Sequence, residues 1–259
     1  MKKVTMITLL PRHSRTLALS CLAAIVACFS LLPAAARAAG ETAEFPVNTF
    51  LKEVIAAYGG DSHLARITSV YTTGSIEAFM RGDRGTSTRY FKRPRKLRAE
   101  LVYQKSSETR ILNGFRGWRG KAGEPLQEVH GPSYLAMAYQ FKYLDLPFGF
   151  LDKGYKITYL GRETLRALPV EVLQLVDNEG TIMRVYIDAG THLIVRVVGS
   201  FGIGPGGAEL AAEFSDFRDV EGVKFPFRVT NYSGANKIAE TLATEIRINK
   251  EMPETLFQP

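Results

Sequence analysis

Gly202-Ile203-Gly204-Pro205-Gly206-Gly207 has the G-x-G-x-x-G spacing that lets a backbone turn tightly against a pyrophosphate, and a strand-like segment precedes it. That fingerprint needs a helix next, inside a parallel βαβ unit. Here Leu210, Ala212 and Phe214 alternate with Glu209, Ala211 and Glu213, so another strand follows and the glycines read as a hairpin loop. His63, His130 and His192 have no second histidine or carboxylate at ligand spacing on a common element. Neither H-E-x-x-H nor G-x-S-x-G occurs. The expectation is therefore a protein without a catalytic residue, metal or cofactor, one that binds rather than reacts and is not an enzyme.

Two stretches are suited to binding. Tyr134 to Leu151, "YLAMAYQFKYLDLPFGFL", has Lys142 and Asp145 as its only charges and aromatic rings throughout. Gln140, Lys142, Asp145, Pro147 and Gly149 interrupt it too often for a membrane span, which needs about twenty apolar residues. The other stretch is "RYFKRPRKLR", where Lys92, Arg93, Arg95, Lys96 and Arg98 cluster about a proline turn. Such a run reads as the solvated face of a hairpin or as a contact to anionic lipid head groups.

The first 38 residues bound the class of partner. Lys2, Lys3, Arg12 and Arg15 precede an apolar run that ends at Ala36-Arg37-Ala38, the pattern of a secretory signal peptide cut after Ala38. Ile25-Val26-Ala27-Cys28 offers a second cut, leaving a lipid-anchored Cys28. The whole chain carries 33 basic and 26 acidic residues; five basic and no acidic ones lie before Ala39, so 28 against 26 leaves the mature part at +2. Nucleic acid thus lacks the basic surplus it would need. Both cysteines, Cys21 and Cys28, belong to the leader, which excludes a disulfide framework or a cysteine nucleophile after the preferred cut. Residues 39–259 read as a single domain, large enough for one core without staples, and as a monomer.

The elements that must position these stretches follow from periodicity. Val47, Phe50, Leu51, Val54 and Ile55 have helical spacing, and Gly59-Gly60 stops that helix before a short second turn toward Ile67. From Ser69 the period becomes two. "VYTTGSIEAFM", "TSTRYFK", "KLRAELVYQ" and "ETRILNG" read as an antiparallel meander, briefly continued by "GWRG". The aromatic stretch then forms a helical insertion, with Pro132 in its first turn and Pro147 ending it. Seven more strands follow, from "YKITYLGRET" to "AETLATEIRINK". The expectation is an α+β fold, mainly β: a strongly curved antiparallel sheet of about eleven strands forming an incomplete barrel, lidded by helices.

The leader, the helix ending "AYGGDSHLARITSVYTTG", the meander with its insertion, "FSDFRDVEGVKFPFRV" and the closing "INKEMPETLF" together resemble the LolA/LolB-like superfamily of outer-membrane lipoprotein-sorting proteins. The resemblance implies a periplasmic half-barrel whose hydrophobic cavity, lidded by helices, takes a lipid or the acyl chains of a lipoprotein. It implies a carrier moving that cargo toward the outer membrane, between an inner-membrane donor and an outer-membrane acceptor. A protein-interaction or envelope-stress-sensing module on the same fold is the alternative. Leu97, Ala99, Leu101 and Tyr103 form the clearest alternating apolar face. With Tyr90 and Trp118 they are expected to line the cavity. Tyr134, Met137, Tyr139, Phe141, Tyr143 and Phe148 are expected to roof it, with Lys142 and Asp145 turned to water. Lys92, Arg93, Arg95 and Arg98 are the expected head-group contacts at the rim.

Overall fold

The computed structural model describes residues 45–201 and 208–259. The leader, with Cys21 and Cys28, and the Gly202–Gly207 loop lie outside the described residues. Helices α1 (Val47–Ala57) and α2 (Asp61–Ala65) precede six strands: β1 (Ser69–Ala78), β2 (Asp83–Lys92), β3 (Lys96–Tyr103), β4 (Ser107–Asn113), β5 (Arg116–Gly120) and β6 (Gln127–Val129). Helices α3 (Gly131–Asp145) and α4 (Phe148–Leu151) follow. The chain then runs through β7 (Tyr155–Leu165), β8 (Leu168–Asp177), β9 (Ile182–Asp188) and β10 (Ile194–Phe201). It ends with β11 (Ala208–Val220), β12 (Val223–Ser233) and β13 (Asn236–Ile248). The described residues form thirteen strands; β5, which the sequence offers only as the brief "GWRG" continuation, and the short β6 are the two beyond the expected eleven.

All thirteen strands form one antiparallel sheet, in the order β6-β5-β4-β3-β2-β1-β13-β12-β11-β10-β9-β8-β7. The first six step outward from the centre to one edge. Helices α3 and α4 then carry the chain to the opposite edge, and the last seven strands step back until β13 pairs with β1. Helix α3 touches β5 at one end of its reach and β10 at the other. Laid flat, the strands from β5 to β10 would span roughly 38 Å at the usual inter-strand spacing. A fifteen-residue helix is only about 22 Å long. The sheet must therefore curl around α3, which makes it an open half-barrel with a helix in its trough.

Two of the segments that carry the family resemblance, "AYGGDSHLARITSVYTTG" and "FSDFRDVEGVKFPFRV", pack on each other. Gly59, at φ 120°, ends α1, and a Cβ there would fall 2.1 Å from the Gly222 carbonyl oxygen in the β11–β12 turn. The Lys224 amide donates to the Tyr58 carbonyl across the same contact at 3.1 Å. His63 accounts for itself structurally: Nδ1 lies 3.0 Å from the Gly59 carbonyl, and its ring lies against Gly222. The outer face of β2–β5 is covered by the C-terminal segment, where Met252 and Phe257 bury Ile111 and Trp118.

Candidate functional site

Helix α3 is held in the trough by rings on every side. Phe141 stacks on Phe91 of β2, centroids 4.9 Å apart. Tyr139 lies on Gly199 of β10, where any Cβ would approach its ring to 2.6 Å, and its hydroxyl donates to the Val197 carbonyl at 2.9 Å. Tyr143 meets Phe214 of β11, and Phe148 of α4 meets Phe225 of β12. From Met137 to Tyr143 every residue except Gln140 is buried. A lid with Lys142 and Asp145 on a wet face is thus corrected to a helix whose first turn is exposed and whose part from Met137 onward is largely enclosed. Lys142 and Asp145 do not face water, because the β8–β9 and β2–β3 turns close over them.

Both buried charges are partnered by loops at the end of the trough. Lys142 pairs with Asp177, reaches Glu179 at 3.6 Å and donates to Thr181 Oγ1 at 2.6 Å. Asp145 accepts from Arg93 Nε at 2.9 Å, and Arg93 also pairs with Asp152.

Two cavities remain beside the helix. The larger, about 330 Å³, lies between α3 and the sheet near the β1–β2 turn. Ile76, Leu101, Tyr103, Tyr139, Leu210 and Ala239 are among its walls. The smaller, about 80 Å³, lies toward α4 and is ringed by Phe91, Phe148, Phe214, Phe225 and Phe227. Arg89, Tyr143 and Thr241 belong to the walls of both. Among the described residues no group of three or more His, Asp or Glu stands close enough to hold a metal ion. None of the described helices is long and apolar enough to cross a membrane.

An open thirteen-stranded antiparallel half-barrel, with a crossing helix in its trough, matches solved structures over most of their length. A DUF1329 family protein from Desulfovibrio piger aligns with a TM-score of 0.53 at 12% identity, covering 82% of this chain and 97% of that one. A protein described as an outer membrane lipoprotein-sorting domain, from Vibrio parahaemolyticus, aligns at 0.52 and 12% identity, covering 81% and 95%. A LolA superfamily protein from Nitrosomonas europaea aligns at 0.52 and 8% identity, covering 82% and 97%. The fold is LolA-like. No family model matches the chain, and no curated protein sequence does either.

Within the LolA-like trough the expected site residues separate into groups. Leu101, Tyr103, Tyr139, Tyr143 and Phe148 do line the cavities. Leu97, Met137 and Phe141 are buried in the core beside them, and Tyr134 is partly buried against it. Tyr90 and Trp118 do not join them. Strand alternation puts both on the outer face, in the cluster capped by Met252 and Phe257, so their assignment to the cavity is corrected.

The basic hairpin is likewise occupied within the chain. Arg93 serves α3 and α4. Arg95 binds Glu179 at 2.9 Å, the Gly114 carbonyl at 2.8 Å and the Tyr134 hydroxyl at 3.2 Å. Lys92 and Lys96 both pair with Glu254, and Arg98 pairs with Glu100 and donates to the Leu256 carbonyl. A head-group contact by Lys92, Arg93, Arg95 or Arg98 would compete with these carboxylates, since the cluster fastens α3 and the C-terminal segment to the sheet. The cation that sequence reasoning passed over is Arg89, on the inner face two residues before Phe91.

Asp145 gives the LolA-like fold a pH dependence. Burial pushes its carboxyl from 3.8 up to about 7; the charge and hydrogen bond of Arg93 pull it back, and Asp152 adds repulsion. Tyr155 is also close enough to feel its charge. A carboxyl with a higher pKa folded than unfolded binds its proton on folding, so its contribution to stability falls as pH rises from about 4 to about 7. The expected loss is roughly 2 kcal/mol between about pH 5 and pH 7. Denaturant midpoints across that window should show a shallower slope for Asp145→Asn than for the unaltered chain. An equal slope in both would mean that Arg93 outweighs burial.

Proposed function

We propose that this chain is a periplasmic carrier that holds a lipid, or the acyl chain of a lipoprotein, in the trough beside α3 and moves it toward the outer membrane. The observation that supports it is the pair of cavities flanking α3, walled by apolar side chains of a LolA-like sheet. A core built for stability alone would close such space, because interiors pack to crystal density. The larger cavity is at the lower end of the range for ligand sites, which suits a single acyl chain. Each methylene buried there is worth about 0.8 kcal/mol. A cargo with several chains requires α3 to lift from its Lys142 and Arg93 contacts.

A protein-interaction or stress-sensing module is the second reading. It is favoured by the exposed Met80 and Phe115 and by the large share of the trough that α3 already fills. Native mass spectrometry of protein purified from its own cells, followed by lipid extraction, separates the two. A defined co-purifying amphiphile is the expected result. A bare protein mass that also fails to take up a fluorescent acyl probe would overturn the carrier.

A further inference from the structure

Among the described residues, Arg89 Nε is the buried side-chain nitrogen that is left without a hydrogen-bond partner. Arg89 is 8% exposed, and among the described residues it forms no ion pair. Every other arginine of the inner face near it is occupied. Arg81, Arg110 and Arg119 all converge on a single carboxylate, Glu108. Burial would raise that carboxyl, but the hydrogen bonds and charges of Arg110 and Arg119 outweigh burial and hold it at about 2, so it stays ionised. Three cations therefore share one anion, and Arg89 adds a fourth charge.

The ladder places Arg89 and Arg110 on one face of the sheet. Arg89 of β2 pairs with Ala99 of β3, and Ala99 pairs with Arg110 of β4, so the two arginines flank an alanine in one row across the sheet. All three line the larger cavity. The short alanine side chain leaves the space between the guanidinium groups open. On the helix side the same wall offers Tyr143 and Gln140, and Thr241 stands beside them on β13. Burial raises the Tyr143 hydroxyl, while the charges of Arg89 and Arg110 pull it the other way, which places both cations near it. From this row the apolar walls run along β1 and β3, through Ile76, Ala78, Leu101 and Tyr103, to the turn where Met80 is exposed.

Burying an unpaired guanidinium is costly, and a planar fork of donors matches an oxyanion. We propose that Arg89 and Arg110 form an internal seat for the carboxylate or phosphate of a single-chain amphiphile, whose tail lies along the apolar wall toward Met80. This rests on the carrier reading above and narrows it to cargo with an anionic head.

Displacement of a neutral fluorescent acyl probe tests the seat, using a fatty acid, the alcohol of equal chain length and a lysophosphatidate as competitors. The unaltered protein is expected to bind at least one anionic competitor tenfold or more tighter than the alcohol. Which of the two is preferred identifies the head group. Arg89→Met should remove that preference and leave alcohol binding unchanged, and Arg89→Lys should keep part of it. Arg110→Gln supplies an independent variant should Arg89→Met fold poorly, as judged by circular dichroism. A thermal shift by inorganic phosphate alone, lost in Arg89→Met, would assign the seat to free phosphate and overturn the amphiphile. Equal binding of acid, phosphate and alcohol to the unaltered protein would overturn the seat and leave the carrier standing. So would an equal loss of acid and alcohol in the variants. Failure of every acyl ligand to bind would overturn both.

Discussion

Lys142→Ala is expected to lower the unfolding free energy by about 3–5 kcal/mol, the scale for removing one partner of a buried ion pair. The ammonium is nearly inaccessible, and it compensates an Asp177 carboxylate that is itself only 11% exposed at the side chain. Asp177 also accepts the backbone amides of Glu179 and Thr181, at 2.9 and 2.8 Å, so the loop would keep its shape while losing its counter-charge. Pairing Lys142→Met with Asp177→Asn removes both charges together and should recover part of the loss. A urea titration of the two single variants and the double variant checks this. A coupling energy below about 0.5 kcal/mol would mean that the pair behaves as two independent sites.

Phe141→Ala should cost a similar amount, about 3–5 kcal/mol, because it empties the space above Phe91 at the centre of the trough. Its ring is 4% exposed. A roof residue would instead lose acyl-probe uptake with little change in the denaturant midpoint. The measurement pairs the midpoint with probe uptake under conditions where the variant remains folded. The structure puts Phe141 in the core, so the midpoint should move first. An unfolding free energy within about 1 kcal/mol of the unaltered chain, together with lost uptake, would return the ring to the roof.

Most strands could be read from the sequence because alternation is a local signal. Helix α3 was readable as a helix, with Pro147 marking its end, but its environment was not. Amphipathic reasoning assumes one wet face along the whole helix, whereas here the exposure is confined mainly to the first turn and Lys142 and Asp145 are covered. The partners that make Lys142 and Asp145 tolerable there, Asp177 and Arg93, lie on strands or turns far along the chain. Tyr90 and Arg89 were exchanged for a different reason. Leu97, Ala99 and Leu101 alternate onto one buried face, and pairing Phe91 with Leu97 fixes which residues of β2 share it. That register puts Arg89 inside and Tyr90 outside, against the ordinary preference for burying the ring. Trp118 sits in a five-residue strand between glycine and arginine, too short for alternation to orient it. The closing "INKEMPETLF" was read as part of the pattern, but its role as a cover for the outer face depends on Lys92 and Lys96 reaching Glu254 across most of the chain.

The central pairing of β1 with β13 also governs how the chain can assemble. Val70 stands opposite Ile248, so the middle of the sheet joins the first strand made to the last. Neighbouring hairpins on either side close small loops and can form early, whereas this seam closes almost the whole domain, and long-range closure slows folding. Until Asn236–Ile248 arrives, one edge of β1 presents unpaired backbone groups to any other extended chain. A newly made polypeptide therefore spends its most aggregation-prone interval just before its last strand docks, and a chain truncated ahead of Asn236 never leaves that interval.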